Sequence, residues 1–301
     1  MRSANSPWAL ITFLIVFILA ILTVVLQWDK QVMLWWQEHH TSLEERQRSI
    51  WLPNYEVAIE AKVIAKIGEE ETSGLSWNDQ SNTLFTVTGQ KTQIAEMSLT
   101  GETLRVIQLE GFGDLEAIEV LDDGYVAVIN ERNGQLKIFK LPTEDQTVHL
   151  KDVEIVEIGI GDGGNKGIEG MAWDYKNKVL WVAKERDPKG LFTVDIKSRP
   201  VKVTQVASKG IFMKDFSAME VDPRTGHLIV LSDQSQMLME VSPEGKPVSY
   251  MKLTLGANGL ASTIDQAEGV AMDDKGNIFM VAEPNLFYWF ATPESAAAVG
   301  K

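Results

Sequence analysis

The residues of this chain whose types and spacing could do chemistry are its acids. A short motif of Ser or Glu, then Gly or Ala, then an apolar residue recurs as Ser73-Gly74-Leu75, Glu116-Ala117-Ile118, Glu169-Gly170-Met171, Ser217-Ala218-Met219 and Glu268-Gly269-Val270. Fifteen or sixteen residues after each first position stands a second set: Gly89, Glu131, Glu185, Asp233 and Glu283. If each motif opens a strand and each member of the second set ends the antiparallel strand that returns, both sets arrive at one end of a sheet. Seven acids, Glu116, Glu169, Glu268, Glu131, Glu185, Asp233 and Glu283, would then converge on one face. Two carboxylates about 6 Å apart at an effective dielectric near 20 repel by about 3 kcal/mol. Either protons are shared, basic neighbours compensate, or a cation is bound. Hard oxygen donors without Cys or His favour Ca²⁺ or Mg²⁺ over zinc or copper, and donors from several segments suit the less demanding Ca²⁺. The competing reading is structural: the acids accept backbone N–H groups of neighbouring segments and hold them in register.

Beside the acids stand Arg132, Arg186, Lys166 and Lys184, which could hold a phosphate or carboxylate bridged to a metal or could simply neutralise Glu131 and Glu185. Ser73 and Ser217 complete the first set and join these cations as ligand-binding candidates. The chain has no Cys, which excludes a thiolate nucleophile and Cys-ligated metals. No Ser-His-Asp arrangement is available either: His149 falls in a variable outer region and His227 in a turn at the far end of the sheet, both read as surface. Adjacent His39 and His40 point about 100° apart on a helix and read as solvated. Asp162-Gly163-Gly164-Asn165 lacks the later bidentate Glu of a calcium loop and reads as a connection, and Glu69-Glu70-Glu71 reads as a solvated charge run, the alternative being that it fills the gap left by Ser73 and Gly89 in the first blade.

The elements that must position the acids follow from the repeat. Each motif opens a strand that ends in a turn rich in Asp, Asn and Gly, and a second apolar strand follows: LFTV from Leu84, YVAVI from Tyr125, VLWVA from Val179, LIVL from Leu228, IFMVA from Ile278. Repeats of about 40 to 50 residues with four strands each are the blades of a β-propeller. The expected fold is therefore all-β: five four-stranded blades over residues 53–295, with residues 296–301 as a tail. The last blade lacks an outer strand, and YEVAIEAKVIAKI from Tyr55 is placed to supply it and close the ring.

Ahead of the propeller, Trp8 to Leu26 is free of charge, long enough at about 1.5 Å per residue to cross a bilayer. Gln27-Trp28-Asp29 follows in place of a small-x-small cleavage site, so the expectation is a retained transmembrane helix within residues 1–29. Trp28, Trp35 and Trp36 fall where an interfacial aromatic belt would be. Residues 30–52 read as a polar helical stalk, with Ser42 and Glu45 spaced as a capping box. Arg2 and the amino terminus against Lys30 favour a cytoplasmic N-terminus and an exported propeller.

The chain carries 28 Lys+Arg against 42 Asp+Glu, a net charge of −14, all of it in residues 51–301. That is the wrong sign for a duplex-binding protein and points to cations or basic partners.

The stretches SGLSW at Ser73, DLEAI at Asp114, NKGIEGMAWD at Asn165, VAKERDP at Val182, DFSAMEVD at Asp215, LSDQSQ at Leu231, QAEGVAMDDKGNIF at Gln266 and AEPNLFYWF at Ala282 resemble the SdiA-regulated family of bacterial β-propellers, distantly NHL-repeat-like. The resemblance covers about residues 55–292. It implies a bacterial five-bladed propeller behind an N-terminal membrane segment, with a calcium site; joined to the charge bias, the expectation is a single-pass inner-membrane protein with its propeller in the periplasm. It assigns no reaction, and its name gives no ground for a nucleic-acid role. Two functions stay open: a calcium-binding module of the envelope that docks a small molecule or another envelope protein at the channel mouth, or a calcium-dependent lactonase- or phosphoesterase-like hydrolase with Glu116 or Glu169 as general base.

Overall fold

The computed structural model describes residues 7–25, 28–68, 71–89, 91–130, 134–144, 146–160, 167–208 and 210–292. Glu131, Arg132, Lys166 and the loop Asp162–Asn165 lie outside the described residues. The chain forms two compact units, Met1–Glu45 and Arg46–Lys301.

In the first unit, helix Pro7–Val25 is the uncharged run and helix Trp28–His40 follows it. Ser42 and Glu45 form the expected capping box: Ser42 N donates to Glu45 Oε2 at 2.9 Å, and Glu45 N donates to Ser42 Oγ at 3.2 Å. No single described helix is long and apolar enough to cross a membrane, but Leu10–Thr23 and Trp28–His40, bent by 64°, pass that test as a pair.

The second unit is an all-β propeller of five blades. Blade one runs Thr72–Asn78, Thr83–Thr88, Gln93–Met97, Thr103–Glu110, and blade two Ala117–Val120, Tyr125–Asn130, Gln135–Lys140, Glu154–Glu157. Blade three runs Ile168–Asp174, Val179–Lys184, Gly190–Asp195, Lys202–Val206, and blade four Ala218–Val221, Leu228–Ser232, Met237–Val241, Pro247–Lys252. Blade five has Ala267–Met272, Ile278–Ala282 and Leu286–Ala291, with the N-terminal strand Glu56–Val63 paired antiparallel on its outer edge. The first strand of every blade touches the first strands of both flanking blades, and the fifth touches the first.

Sequence chemistry explains this arrangement locally. In four blades an Asn or Asp five residues after the motif's first position nucleates the hairpin turn: Asn78 takes Gln80 N at 3.0 Å, Asp174 takes Asn177 N at 2.8 Å, Asp222 takes Arg224 N at 3.0 Å and Asp273 takes Asn277 N at 2.8 Å. The small second position is a packing demand. A Cβ on Gly74 would lie 2.8 Å from Ala117 Cα, one on Gly170 3.1 Å from Met219 N, and one on Gly269 2.7 Å from the Gly74 carbonyl carbon. Second positions of adjacent blades therefore meet backbone to backbone around the axis. The apolar core fills the seams between blades, for example Ala117, Ile129, Leu136, Met171, Trp173 and Val182 between blades two and three.

The propeller unit begins earlier than residue 53. Ile50 and Leu52 belong to the core beside blades four and five. Their backbones are held by blade four, where Glu240 takes the N–H groups of Ile50 at 2.8 Å and Trp51 at 3.1 Å and Ser249 Oγ takes that of Leu52 at 3.1 Å. Residues 46–52 are thus part of the folded body and not stalk.

Candidate functional site

The backbone ring at the second positions fixes where the first positions stand: next to the axis, at the end of the propeller opposite the hairpin turns. Register irregularities fall at the motif in blades one, three and five, and Glu169 and Glu268 are the residues skipped by the ladder. A bulge of this kind re-aims the side chain of its extra residue. In blades two and four the ladder begins at the second position, and the first-position N–H bonds one residue off its register, Glu116 N to Ile129 O at 3.1 Å and Ser217 N to Leu231 O at 3.0 Å, where the ladder pairs Ala117 with Ile129 and Ala218 with Leu231.

Electrostatics show which acids come together. Burial pushes the Glu268 carboxyl up to about 9, and the charges of Asp233, Glu283, Glu116 and Asp215 push the same way. Asp233 is raised by burial and then by Asp215 and Asp265, against backbone N–H groups of Gln266 and Ala267 that favour its charged form. Glu283 is raised by burial and then by Glu71 and Asp233, and its Oε2 accepts Gln266 Nε2 at 2.6 Å. Glu116, Glu268, Asp233 and Glu283, contributed by blades two, five, four and five, therefore share one field at the channel mouth.

The other candidates are engaged in their own loops. Glu185 is buried and its Oε1 pairs with Arg186 Nη2 at 2.7 Å, while Lys184 Nζ donates to the carbonyls of Arg186 at 3.3 Å and Asp187 at 3.2 Å. Arg186 thus pairs with Glu185, and Lys184 braces the turn that follows blade three's second strand. Ser217 Oγ donates to Ala267 O at 2.8 Å and ties blade four to blade five, and Ser73 is buried. Glu169 is half-buried in its bulge.

Two further sets of acids reach the axis. The first lies two residues ahead of the motif: Glu71, which the sequence offered as an alternative filler of the first blade's gap, and Asp114 and Asp215, which sequence reading missed. Blades one and four have Ser at the first position, and they are two of the three with an acid two places earlier, on the same face of an extended chain. Asp215 is buried; its Oδ1 accepts Ser232 Oγ and its Oδ2 accepts Gln234 N at 3.3 Å. Gly89, the gap in the second set, is filled from its neighbours: a Cβ there would stand 2.9 Å from Asp114 Oδ1 and 3.9 Å from Glu71 Oε2. Glu71 is thereby part of the mouth, as the alternative reading of its run has it, while Glu69 and Glu70 lie outside the described residues.

The second set, missed altogether, is Glu119 and Glu220, at the fourth position of the repeat and buried below the mouth. Inner strands expose an unpaired edge to the channel, and these side chains satisfy it. Ser76 Oγ takes Val120 N at 2.9 Å, Glu119 takes Trp173 N, and Glu220 Oε2 takes Met272 N at 3.4 Å. In each pair a fourth-position side chain binds the fifth-position N–H of the next blade. Burial pushes both carboxyls up, and the charge of Glu220 raises Glu119 further. Register-holding acids exist in this propeller: these two and, at the mouth, Asp233, which takes the backbone N–H groups of Gln266 and Ala267 at the start of the next blade.

His227 also departs from expectation. Its Nδ1 bonds Glu240 Oε1 at 2.6 Å on the turn face, so it is a partner in holding residues 50–51 and not free surface. His149 pairs with Glu110 at 2.7 Å.

Among the described residues no three Asp, Glu or His side chains are gathered closely enough to hold a metal ion as they stand. The donor chemistry at the mouth is nonetheless all oxygen, from separate blades, with a Glu268 carboxyl that burial first and the neighbouring acids second push toward its protonated form.

A family model described as SdiA-regulated matches residues 47–291. Solved structures similar to this chain include the nidogen/laminin complex (TM-score 0.49, 13% identity, covering 73% of this chain and 75% of that one). They also include regucalcin, a calcium-binding protein from Agrobacterium tumefaciens (0.48, 11%, 77% and 93%), and luciferin-regenerating enzyme (0.47, 12%, 77% and 94%).

Proposed function

From the premise that this chain belongs to the SdiA-regulated family, we propose that it is a membrane-anchored binding module whose propeller mouth takes up a calcium ion and presents it to a ligand. The observation that carries the reading is the gathering of half-buried Glu268 with Asp233, Glu283, Glu116 and Asp215. Glu116, Glu268, Glu283 and Asp233 would hold the ion, which would supply the positive charge this cluster lacks. Because Glu268 is protonated without it, uptake releases a proton and strengthens as pH rises.

Anchoring rests on the uncharged helix Pro7–Val25. The charge bias puts its N-terminus in the cytoplasm and the propeller in the periplasm of a bacterial cell. The chain enters the propeller on the turn face, where Arg224 Nη2 reaches Ser49 O at 3.4 Å and Tyr55 Oη donates to Gly276 O at 2.7 Å. The acid mouth is at the other end, open to a partner that approaches from away from the point of entry. Strand Glu56–Val63, added to blade five, locks the ring.

The test is thermal unfolding with and without calcium, together with turnover of lactones, phosphomonoesters and phosphodiesters. The reading expects a calcium-dependent rise in Tm that is lost in Glu268→Gln, with no turnover. Metal-dependent turnover lost in Glu169→Gln would replace it with a hydrolase.

A further inference from the structure

Helix Trp28–His40 is amphipathic in an unusual way. At about 100° per residue, Trp35, Trp28, His39, Val32 and Trp36 fall in one arc of about 100°, while Leu34, Glu38, Lys30 and Gln37 fall outside it. The side chains in that arc are open: Trp28 is 48% exposed, Val32 62%, Trp35 50% and Trp36 57%, whereas Leu34 and Glu38 are buried. Two Trp–His ring pairs, one tilted and one stacked, stiffen the helix surface. Trp35 and His39 have ring centroids 4.1 Å apart, as have Trp36 and His40, and each imidazole Nδ1 donates to the carbonyl of its Trp at 2.8 and 2.7 Å. Met33 is a further exposed apolar side chain off the stripe.

We propose that this helix lies flat on the lipid surface, with Trp28, Val32, Trp35 and Trp36 inserted at the headgroup level. The inference rests on the reading of helix Pro7–Val25 as the anchor. Three observations make the bilayer the occupant. The stripe starts three residues after an uncharged helix whose large side chains are themselves exposed, so a bilayer that accepts that helix brings Trp28 to its surface. The chain bends by 64° between the two helices, which turns the second away from the direction of crossing. Indole rings, apolar in body with one N–H, concentrate at that depth, and a helix with charges on its other side lies in the interface plane. The helix extends the anchor from a single tether into a tether with a fixed footing.

The absence of Cys from the chain makes the test direct. The full-length protein is reconstituted in vesicles of phosphatidylethanolamine and phosphatidylglycerol, with one spin label at a time on Leu14→Cys, Val32→Cys or Gln37→Cys. Collisions with oxygen and with a water-soluble nickel chelate are then measured. A label at 14 that meets oxygen and excludes nickel confirms the anchor. The proposal expects the label at 32 to exclude nickel several-fold better than the label at 37, and Trp35→Ala with Trp36→Ala to erase that difference. Equal nickel access at 32 and 37, with 14 in the bilayer, overturns the proposal and leaves the anchor intact. A label at 32 shielded from both reagents and broadened by a second label gives the stripe to another copy of the chain and equally overturns it. A label at 14 open to nickel overturns both.

Discussion

Glu240 Oε1 takes the backbone N–H of Ile50 at 2.8 Å, joining residues 190 positions apart inside the protein. The carboxylate is fully buried and also receives Trp51 N, Ser249 Oγ at 2.6 Å and His227 Nδ1. Replacing it leaves several donors without an acceptor in a dry site. Glu240→Ala should cost about 3–5 kcal/mol, measured by denaturant unfolding, and Ser249→Ala much less because Glu240 remains. Equal losses for the two would place the linker's hold elsewhere.

The second-position glycines are constrained by neighbouring backbone. Gly74 combines φ 63° with a would-be Cβ contact at 2.8 Å to Ala117, while Gly124 has φ 74° and nothing within 4 Å. Gly124→Ala should cost only the left-handed penalty of about 1–2 kcal/mol. Gly74→Ala should cost more than twice as much, or leave no folded protein. Similar melting temperatures for the two variants would remove the backbone ring as the organising contact.

Glu268 gives stability a sign with pH. Its folded-state value, about 9, is above the ordinary 4.5, so in the metal-free protein its contribution is fully present below about pH 4.5 and is lost as pH rises through 9. The slope is at most about 1.4 kcal/mol per pH unit, reduced by the water that reaches this half-buried side chain. Buried Glu119 and Glu220, also raised, add the same sign. Unfolding in chelator should therefore show Tm falling from pH 5 to 9. Glu268→Gln should flatten the fall and melt higher than the parent at pH 9; a steeper fall in the variant would contradict the crowding.

How much of this was legible in the sequence differs from residue to residue. Five blades could be counted because the motif is a packing requirement: Gly74 and Gly269 leave no room for a Cβ where Gly74 meets Ala117 and Gly269 meets Gly74, and the same position holds nothing larger than Ala in the other blades. The mouth acids Glu116, Glu268, Asp233 and Glu283 could be placed because strand direction alone returns both sets to one end. Asp215 and Asp114 were hidden by reading each blade from its own first position, whereas Asp114 fills a gap at Gly89 in the blade before it. Glu119 and Glu220 sit inside four-residue apolar strands, and nothing local marks a buried acid whose acceptor role is to the next blade's backbone. Lys184 and Arg186 have the right charge beside the mouth, but Lys184 Nζ binds carbonyls of the turn at Asp187 and Arg186 Nη2 binds Glu185, contacts that only coordinates reveal.

Strand Glu56–Val63 covers the outer edge of Leu286–Ala291, an apolar strand with the sequence LFYWFA. Removing residues 46–63 exposes that edge and also removes Ile50, Leu52 and Tyr55 from the core. The shortened chain should aggregate in light scattering at concentrations where the full propeller stays dispersed; a monodisperse product of native stability would show that blade five closes the ring without it.

The account stands or falls with cation uptake at the mouth. Isothermal titration of calcium into the full-length protein at pH 8, in two buffers of different ionisation enthalpy, counts bound ions and released protons together. The prediction is saturable uptake with proton release, both lost in Glu268→Gln and weakened in Glu283→Gln. No saturable heat up to millimolar calcium, or uptake unchanged in both variants, would contradict it.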